Sequence, residues 1–372
     1  MVALFLLFGF VRGLWDVDSS KYDSVVVIPD LHGDLPNAVR SLHLAFKHVN
    51  PRHPFGVDEF MSFIASSLEL LPSAPLDRSS RTLLVQLGDL ADRGPHTKKL
   101  YLLFNHIQDI IGWDCVTVLG NHDLAAHTGL QRYARYVHQE DLESFGGEEA
   151  RKRAFSSREG SLWSKLIEDR YGIFVRVAST VSRFASSNTL FVHGGVSYQW
   201  IQSLSERGYV LPWDGRVDVN DLNAFLWSII KSRPPEVVSS MLFSPDSPLM
   251  MRDFDEEPFD FFAEKKWCET VVEDLLEMFS VSRIIVGHNP QAALVKGSRC
   301  EGKILLLDVK VSVFTGGKEG GNPFALVLKL DGDHLVRTVT LSEDREPIIE
   351  SSLSRYDYEA DIHGFHPACT LA

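Results

Sequence analysis

The sequence predicts an α/β domain organised around mixed β-sheet, and three patterns lead there. Short apolar runs of strand length alternate with stretches of helical period. Near the C-terminus two apolar runs flank Asp331-Gly332-Asp333, which reads as a hairpin. Polar residues, most beside a glycine, follow five of the apolar runs, where open α/β sheets bind ligands.

Taken in order, residues 24–29 (SVVVIP) form a buried strand. Residues 36–49 carry Val39, Leu42, Phe46 and Val49 at helical spacing, and 57–71 is a second helix. A Pro/Ser loop at 72–80 leads to a strand at 83–87 and a helix at 98–111. Strand 115–119 precedes a helical stretch at 124–138. Residues 146–158 are charged and glycine-flanked, and read as a solvated helix face rather than a binding patch. Short strands follow at 189–192, 284–286 and 304–307, then the hairpin of 324–330 and 335–341.

With 372 residues, 44% hydrophobic and 23% charged, the chain excludes wholly disordered and fibrous classes. Its 37 basic against 50 acidic residues give a net charge of −13, which argues against nucleic acid or an anionic membrane as the main partner. No apolar run reaches the roughly 18–20 residues that span a bilayer. Residues 1–11 are apolar and precede Arg12-Gly13, so 1–13 is a candidate signal peptide that would direct the chain to the secretory pathway. No basic residue precedes that run and no Asn-x-Ser/Thr sequon occurs, which keeps a cytoplasmic alternative open. Cys115, Cys268, Cys300 and Cys369 lack metal-binding spacing; their even number permits disulfides without arguing for them.

The five post-strand loops are Asp30-Leu31-His32-Gly33-Asp34, Gly88-Asp89-Leu90-Ala91-Asp92-Arg93-Gly94, Gly120-Asn121-His122-Asp123, His193-Gly194-Gly195 and Gly287-His288-Asn289. Asp, His and Asn without thiolate suit manganese, iron or zinc. Two such ions can hold and deprotonate a water for in-line attack on phosphorus, among the hardest of uncatalysed reactions to accelerate. Each motif alone is common in turns; five in series, each after an apolar strand, are not.

These motifs resemble the phosphoprotein phosphatase family of metallophosphoesterases, over residues 24 to 345. Pro29 stands where the family has glycine, and Asp123 where it has glutamate, a change expected to loosen support around the site. The long connection between the first two motifs resembles the Shewanella-like protein phosphatase branch. So do Arg135-Tyr136-Val137, Phe145-Gly146-Gly147, Ala150-Arg151 and Pro248-Leu249-Met250-Met251-Arg252-Asp253-Phe254. The Ser-Ala-Pro-Asn-Tyr loop of toxin-sensitive relatives is not in the sequence, which implies poor inhibition by those toxins.

The resemblance implies a calcineurin-like four-layer sandwich, two mixed sheets flanked by helices. The catalytic domain would span 22–345, with a tail at 346–372. It implies two divalent metal ions, manganese first. Asp30, His32 and bridging Asp89 would hold one ion; Asp89, Asn121, His193 and His288 the other. Arg93, Arg252 and Asn121 would bind the phosphoryl group, unless Arg252 is a surface residue facing the acidic run 253–260. His122 would protonate the leaving oxygen and Asp92 would orient it. His127 and His138 are expected to pack or lie at the surface.

The implied reaction is phosphate release from a phosphorylated protein, with a lean towards phosphotyrosine. Two alternatives stay open. Gly-Asn-His-Asp-Leu and Arg93-Gly94-Pro95 also resemble a diadenosine-tetraphosphate hydrolase, against which Asp92 and the long early insertion count. A degenerate, inactive binding module would lack ligands, and all six are present.

Overall fold

The computed structural model describes residues 15–351, apart from 78–79, 157–161, 181–184, 213, 255–260, 292–297, 316–320, 333 and 343–344. Among the described residues thirteen strands run in order: β1 (Asp16–Asp18), β2 (Ser24–Ile28), β3 (Thr82–Gln86), β4 (Asp114–Val118), β5 (Tyr171–Gly172), β6 (Phe174–Ala178), β7 (Thr189–Val192), β8 (Arg283–Val286), β9 (Ser298–Arg299), β10 (Ile304–Leu306), β11 (Phe324–Asp331), β12 (His334–Ser342) and β13 (Arg345–Ser351). They form two mixed sheets. One has the order β13-β12-β11-β2-β3-β4-β5, the other β1-β6-β7-β8-β10-β9.

In the first sheet β2, β3, β4 and β5 are parallel, and β11, β12 and β13 continue it antiparallel. In the second, β7, β8 and β10 are parallel neighbours. Parallel strands covered on both faces read as unbroken apolar runs, and Val25–Ile28 and Leu83–Val85 are indeed buried throughout. The mixed-sheet, helix-flanked architecture implied by the motifs is therefore the one observed.

Helix Leu35–Val49 begins where Asp34 accepts the Asn37 N–H at 3.2 Å and Pro36 occupies the first turn. It buries Val39, Leu42 and Phe46, as its spacing predicts. Two expected helices are shorter. The 98–111 stretch divides at His106 into Thr97–Asn105 and Ile107–Ile110. The 124–138 stretch becomes helix Asn121–Thr128, stopped by left-handed Gly129, and a 3-10 turn Gln131–Tyr136. His127 packs edge-on against Trp227 at 5.6 Å, and His138 caps helix Gln139–Phe145.

The expected domain limits shift. β1 precedes residue 22 and pairs with β6, while β13 pairs with β12 beyond residue 345, so the sheet takes the first residues of the expected tail. The candidate signal peptide and the rest of the tail lie outside the described residues. Among those described, no helix is long and apolar enough to cross a membrane.

Cys268 and Cys300 form a disulfide between a π turn in helix 261–279 and the connection from β9 to β10, 32 residues apart in sequence. Closing a loop of that length restricts the unfolded chain. The Cys268→Ala/Cys300→Ala variant is expected to lose about 2–4 kcal/mol in urea denaturation. A loss under about 0.5 kcal/mol would show that the bond adds little to the fold. Cys115, on β4, is free and partly buried.

Candidate metal centre

Six loops meet at one edge of the sandwich, leaving the carboxyl ends of β2, β3 and β4 in one sheet and β7, β8 and β10 in the other. Five of these ends were expected; β10 adds Asp308. Backbone bonds lash the loops together. His32 N–H donates to Asp89 O at 2.8 Å, Gly287 N–H to His193 O at 2.9 Å and Arg93 N–H to Tyr136 O at 2.6 Å. Gly120 is required by this crowding, because a Cβ there would fall on the backbone nitrogen and carboxylate of Asp89.

Backbone strain concentrates in the same place. His32, Asp89, Asp92, Arg93 and His288 all have φ between 45° and 69°. Such conformations cost on the order of 1–3 kcal/mol each for non-glycine residues and persist only where the surroundings fix them.

Two buried groups share Asp89. His32, Asp89 and His122 offer ligand atoms within 4.8 Å of one another, and so do Asp89, His193 and His288. Asp89 Oδ2 lies 3.5 Å from His32 Nε2 and 3.4 Å from His193 Nε2, while Oδ1 accepts the His122 N–H at 2.9 Å. His193 Nδ1 bonds Leu87 O at 2.8 Å, which fixes the tautomer and turns Nε2 towards Asp89 and the Asn121 side-chain oxygen, 2.9 Å away. His32 Nδ1 does the same with Ala91 O at 3.3 Å. Tyr133 steers Asn121 by accepting its amide N–H at 3.0 Å. Asp30 stands beside the two groups, its carboxylate accepting the His288 N–H at 3.0 Å and lying 3.9 Å from His193 Nδ1.

The electrostatics of this cluster demand positive charge. Burial, then Asp308 and Asp89, push Asp30 well above the usual carboxylate range. Burial opposes the charge on Asp89 too, but the imidazoles of His193, His122 and His32 outweigh it and hold this carboxyl well below that range. Burial likewise opposes a charged His193, yet Asp89 and Asp30 push it up to about 10. Burial, with His122 and Arg93 adding to it, pushes His32 down to about 3 despite Asp89. Buried carboxylates gathered with imidazole nitrogens, those of His32 and His288 held neutral by burial, are the donor set of a divalent-metal site. His288 Nε2 is buried without a hydrogen-bond partner, an orphan a metal ion would satisfy.

His122 is set apart by its partner. Its Nδ1 lies 2.8 Å from Asp92 Oδ2, and Arg151 donates to the other Asp92 oxygen at 2.7 Å and to Asp141 at 2.9 Å. The reading of 146–158 as a solvated face therefore needs correction at Arg151. Lys152 does lie outside, pairing with Glu148 and Glu149, but Arg151 turns inward and is nearly buried. The loosening expected from Asp123 is not seen either. This carboxylate accepts the N–H groups of Leu90, Ala91 and Gly120 and the Tyr101 hydroxyl, joining the β3 and β4 loops.

Above the clusters opens a cleft of about 370 Å³. Arg93 and Arg252 border it, as do Tyr133, Tyr136, Phe243 and Met250, so both expected phosphate-binding arginines face the same space. Sequence reasoning missed Asp308, Tyr133 and the inward role of Arg151.

A family model described as Calcineurin-like phosphoesterase matches residues 24–292. Shewanella-like protein phosphatase 1 of Plasmodium berghei is 25% identical over 358 residues, covering 92% of this chain and 83% of that one. Shewanella-like protein phosphatase 2 of Arabidopsis thaliana is 24% identical, covering 86% and 78%. Among solved structures, a cold-active protein-tyrosine phosphatase of a psychrophilic Shewanella species superposes with a TM-score of 0.58 at 16% identity, over 90% of this chain and 83% of that one.

Proposed function

The chain belongs to the calcineurin-like phosphoesterases, and from that premise we propose that it is a metal-dependent protein phosphatase with a lean towards phosphotyrosine. The observation that carries this reading is the pair of buried His/Asp groups sharing Asp89 beneath a cleft bordered by Arg93 and Arg252. The two relatives named as protein phosphatases align over most of the chain. The apolar wall of Tyr133, Phe243 and Met250 is surface that an aromatic leaving group would bury.

Asp30, His32 and Asp89 would hold one ion, and Asp89, Asn121, His193 and His288 the other, with manganese as the working metal and iron or zinc as alternatives. Such a pair of ions supplies an activated water and neutralises phosphoryl charge. The chain's own residues do the rest. Arg93 and Arg252 receive the phosphoryl oxygens through their guanidinium forks, with the Asn121 amide beside them. His122 delivers a proton to the leaving oxygen, and Asp92 keeps its Nδ1 engaged so that Nε2 faces the substrate. The disulfide favours an oxidising compartment, consistent with a secretory destination.

The test is phosphate release from phosphotyrosine, phosphoserine and phosphothreonine peptides and from diadenosine tetraphosphate, with and without Mn²⁺. Metal-dependent release from peptides supports the reading; fast dinucleotide cleavage with silent peptides replaces it by a nucleotide hydrolase. His122→Asn should slow alkyl phosphates by roughly 10²–10⁴-fold and nitrophenyl phosphate much less, since nitrophenolate leaves without a proton. Equal losses on both would remove His122 from the acid role.

A further inference from the structure

We infer that the cleft holds a second anion subsite, formed by Arg132 and Arg135, which selects phosphorylated residues flanked by an acidic group; the inference rests on the phosphatase reading above. Four arginines (Arg93, Arg132, Arg135 and Arg252) border this one cleft on a chain whose net charge is −13. Arg93 and Arg252 suffice for one phosphoryl group. The other two need a different explanation.

Both lie on the 3-10 turn Gln131–Tyr136, whose sequence is QRYARY. Three residues per turn stack positions i and i+3 on one face. Arg132 and Arg135 therefore share a face, and Tyr133 and Tyr136 share another. The arginines are exposed, yet they are not free to sweep through solvent. The Arg132 guanidinium lies 4.8 Å over the Phe243 ring and 5.6 Å from that of Tyr133. Arg135 lies 4.8 Å over Tyr136 and donates to its hydroxyl at 2.8 Å. Stacking on rings holds a guanidinium by its face and leaves its N–H edge for an anion.

No described carboxylate pairs with either arginine, whereas Lys152, Lys265 and Lys303 on the outer surface each find one. The turn is also held in register with the phosphate end of the cleft, because Tyr136 O accepts the Arg93 N–H at 2.6 Å. Two fixed, unpaired cations at a set distance from the reacting phosphate suit an anionic group on the same substrate. Its source can be a carboxylate side chain or a second phosphate.

The experiment uses the full chain loaded with Mn²⁺ and phosphotyrosine peptides that differ only in their neighbours: acidic, alanine, or a second phosphorylated residue. The acidic peptide should exceed the alanine one by about 10-fold in kcat/KM, through KM, as two exposed ion pairs supply. Raising salt to about 0.5 M should shrink the preference. In Arg132→Gln/Arg135→Gln the two peptides should become equal, while nitrophenyl phosphate turnover stays within about 2-fold of wild type.

A preference only for the second phosphate supports the subsite and assigns phosphate as its ligand. Equal turnover of all three peptides by the wild-type chain, or a preference that survives in the double variant, overturns the inference. Absence of turnover on every substrate, nitrophenyl phosphate included, overturns the phosphatase reading itself.

Discussion

Asp89→Asn is expected to lower metal-dependent phosphate release by at least about 10³-fold, because one carboxylate serves both buried groups and the charge stabilisation at stake is several kcal/mol. The asparagine oxygen can still accept the His122 N–H that Asp89 Oδ1 accepts at 2.9 Å. What changes is the other atom. Oδ2 lies 3.5 Å from His32 Nε2 and 3.4 Å from His193 Nε2. An NH₂ group in its place points donors at atoms that should share a cation, and removes the negative charge that binds it.

The fold should survive, since the substitution preserves shape and replaces a buried charge with a buried amide. Calorimetry separates the two effects. Saturating Mn²⁺ stabilises a native state that binds it, by about 2.7 kcal/mol at a hundred times the dissociation constant. Wild type should therefore melt at a higher temperature with Mn²⁺ than without, and Asp89→Asn should show little of that rise. A variant that keeps both the melting shift and wild-type turnover would sink the shared-carboxylate site.

Much of this site is legible in the sequence because its parts obey a local rule. Asp30, Asp89, Asn121, His193 and His288 each follow an apolar strand within a few residues, and a glycine marks each turn. Asp308 follows β10 in the same way but sits between Leu307 and Val309 with no glycine, so nothing local distinguishes it from a strand end. β6 was missed because Arg176 interrupts its apolar run; only the structure reveals the Asp16 partner that accepts this charge. The Cys268–Cys300 bond joins residues whose spacing carries no motif. Arg151 was hidden by its company in a helix of five charged residues out of eight, EEARKRAF. Its burial depends on Asp92 and Asp141, which come from other segments, and pairing of that kind is invisible to periodicity.

Arg151 carries the second large effect, this time on stability. Its side chain is 9% exposed and bridges Asp92 and Asp141, themselves 1% and 0% exposed. Burial pushes Asp141 above its ordinary range, and Arg151 is the first influence working against that. Arg151→Met leaves two buried carboxylates in the space of one cation. The expected cost is about 3–5 kcal/mol, that of breaking a buried pair and stranding the partner charge. Urea denaturation measures it. Arg151→Lys should recover only part, because an ammonium cannot present one edge to Asp92 and another to Asp141.

The cause of the loss can be checked by removing the stranded charge. If the penalty comes from unpaired carboxylates rather than lost packing, Arg151→Met/Asp141→Leu should be more stable than Arg151→Met alone by about 1–3 kcal/mol. The same double variant speaks to function. Asp92 would keep its bond to His122 Nδ1 but lose the donor that fixes its other oxygen. Turnover of alkyl phosphates, which need a proton from His122, should then stay depressed after stability has returned, while nitrophenyl phosphate recovers. If stability and both activities return together, Arg151 holds the fold and has no part in aligning the acid. If the double variant is no more stable than Arg151→Met, the buried charges are not what Arg151 is there to compensate.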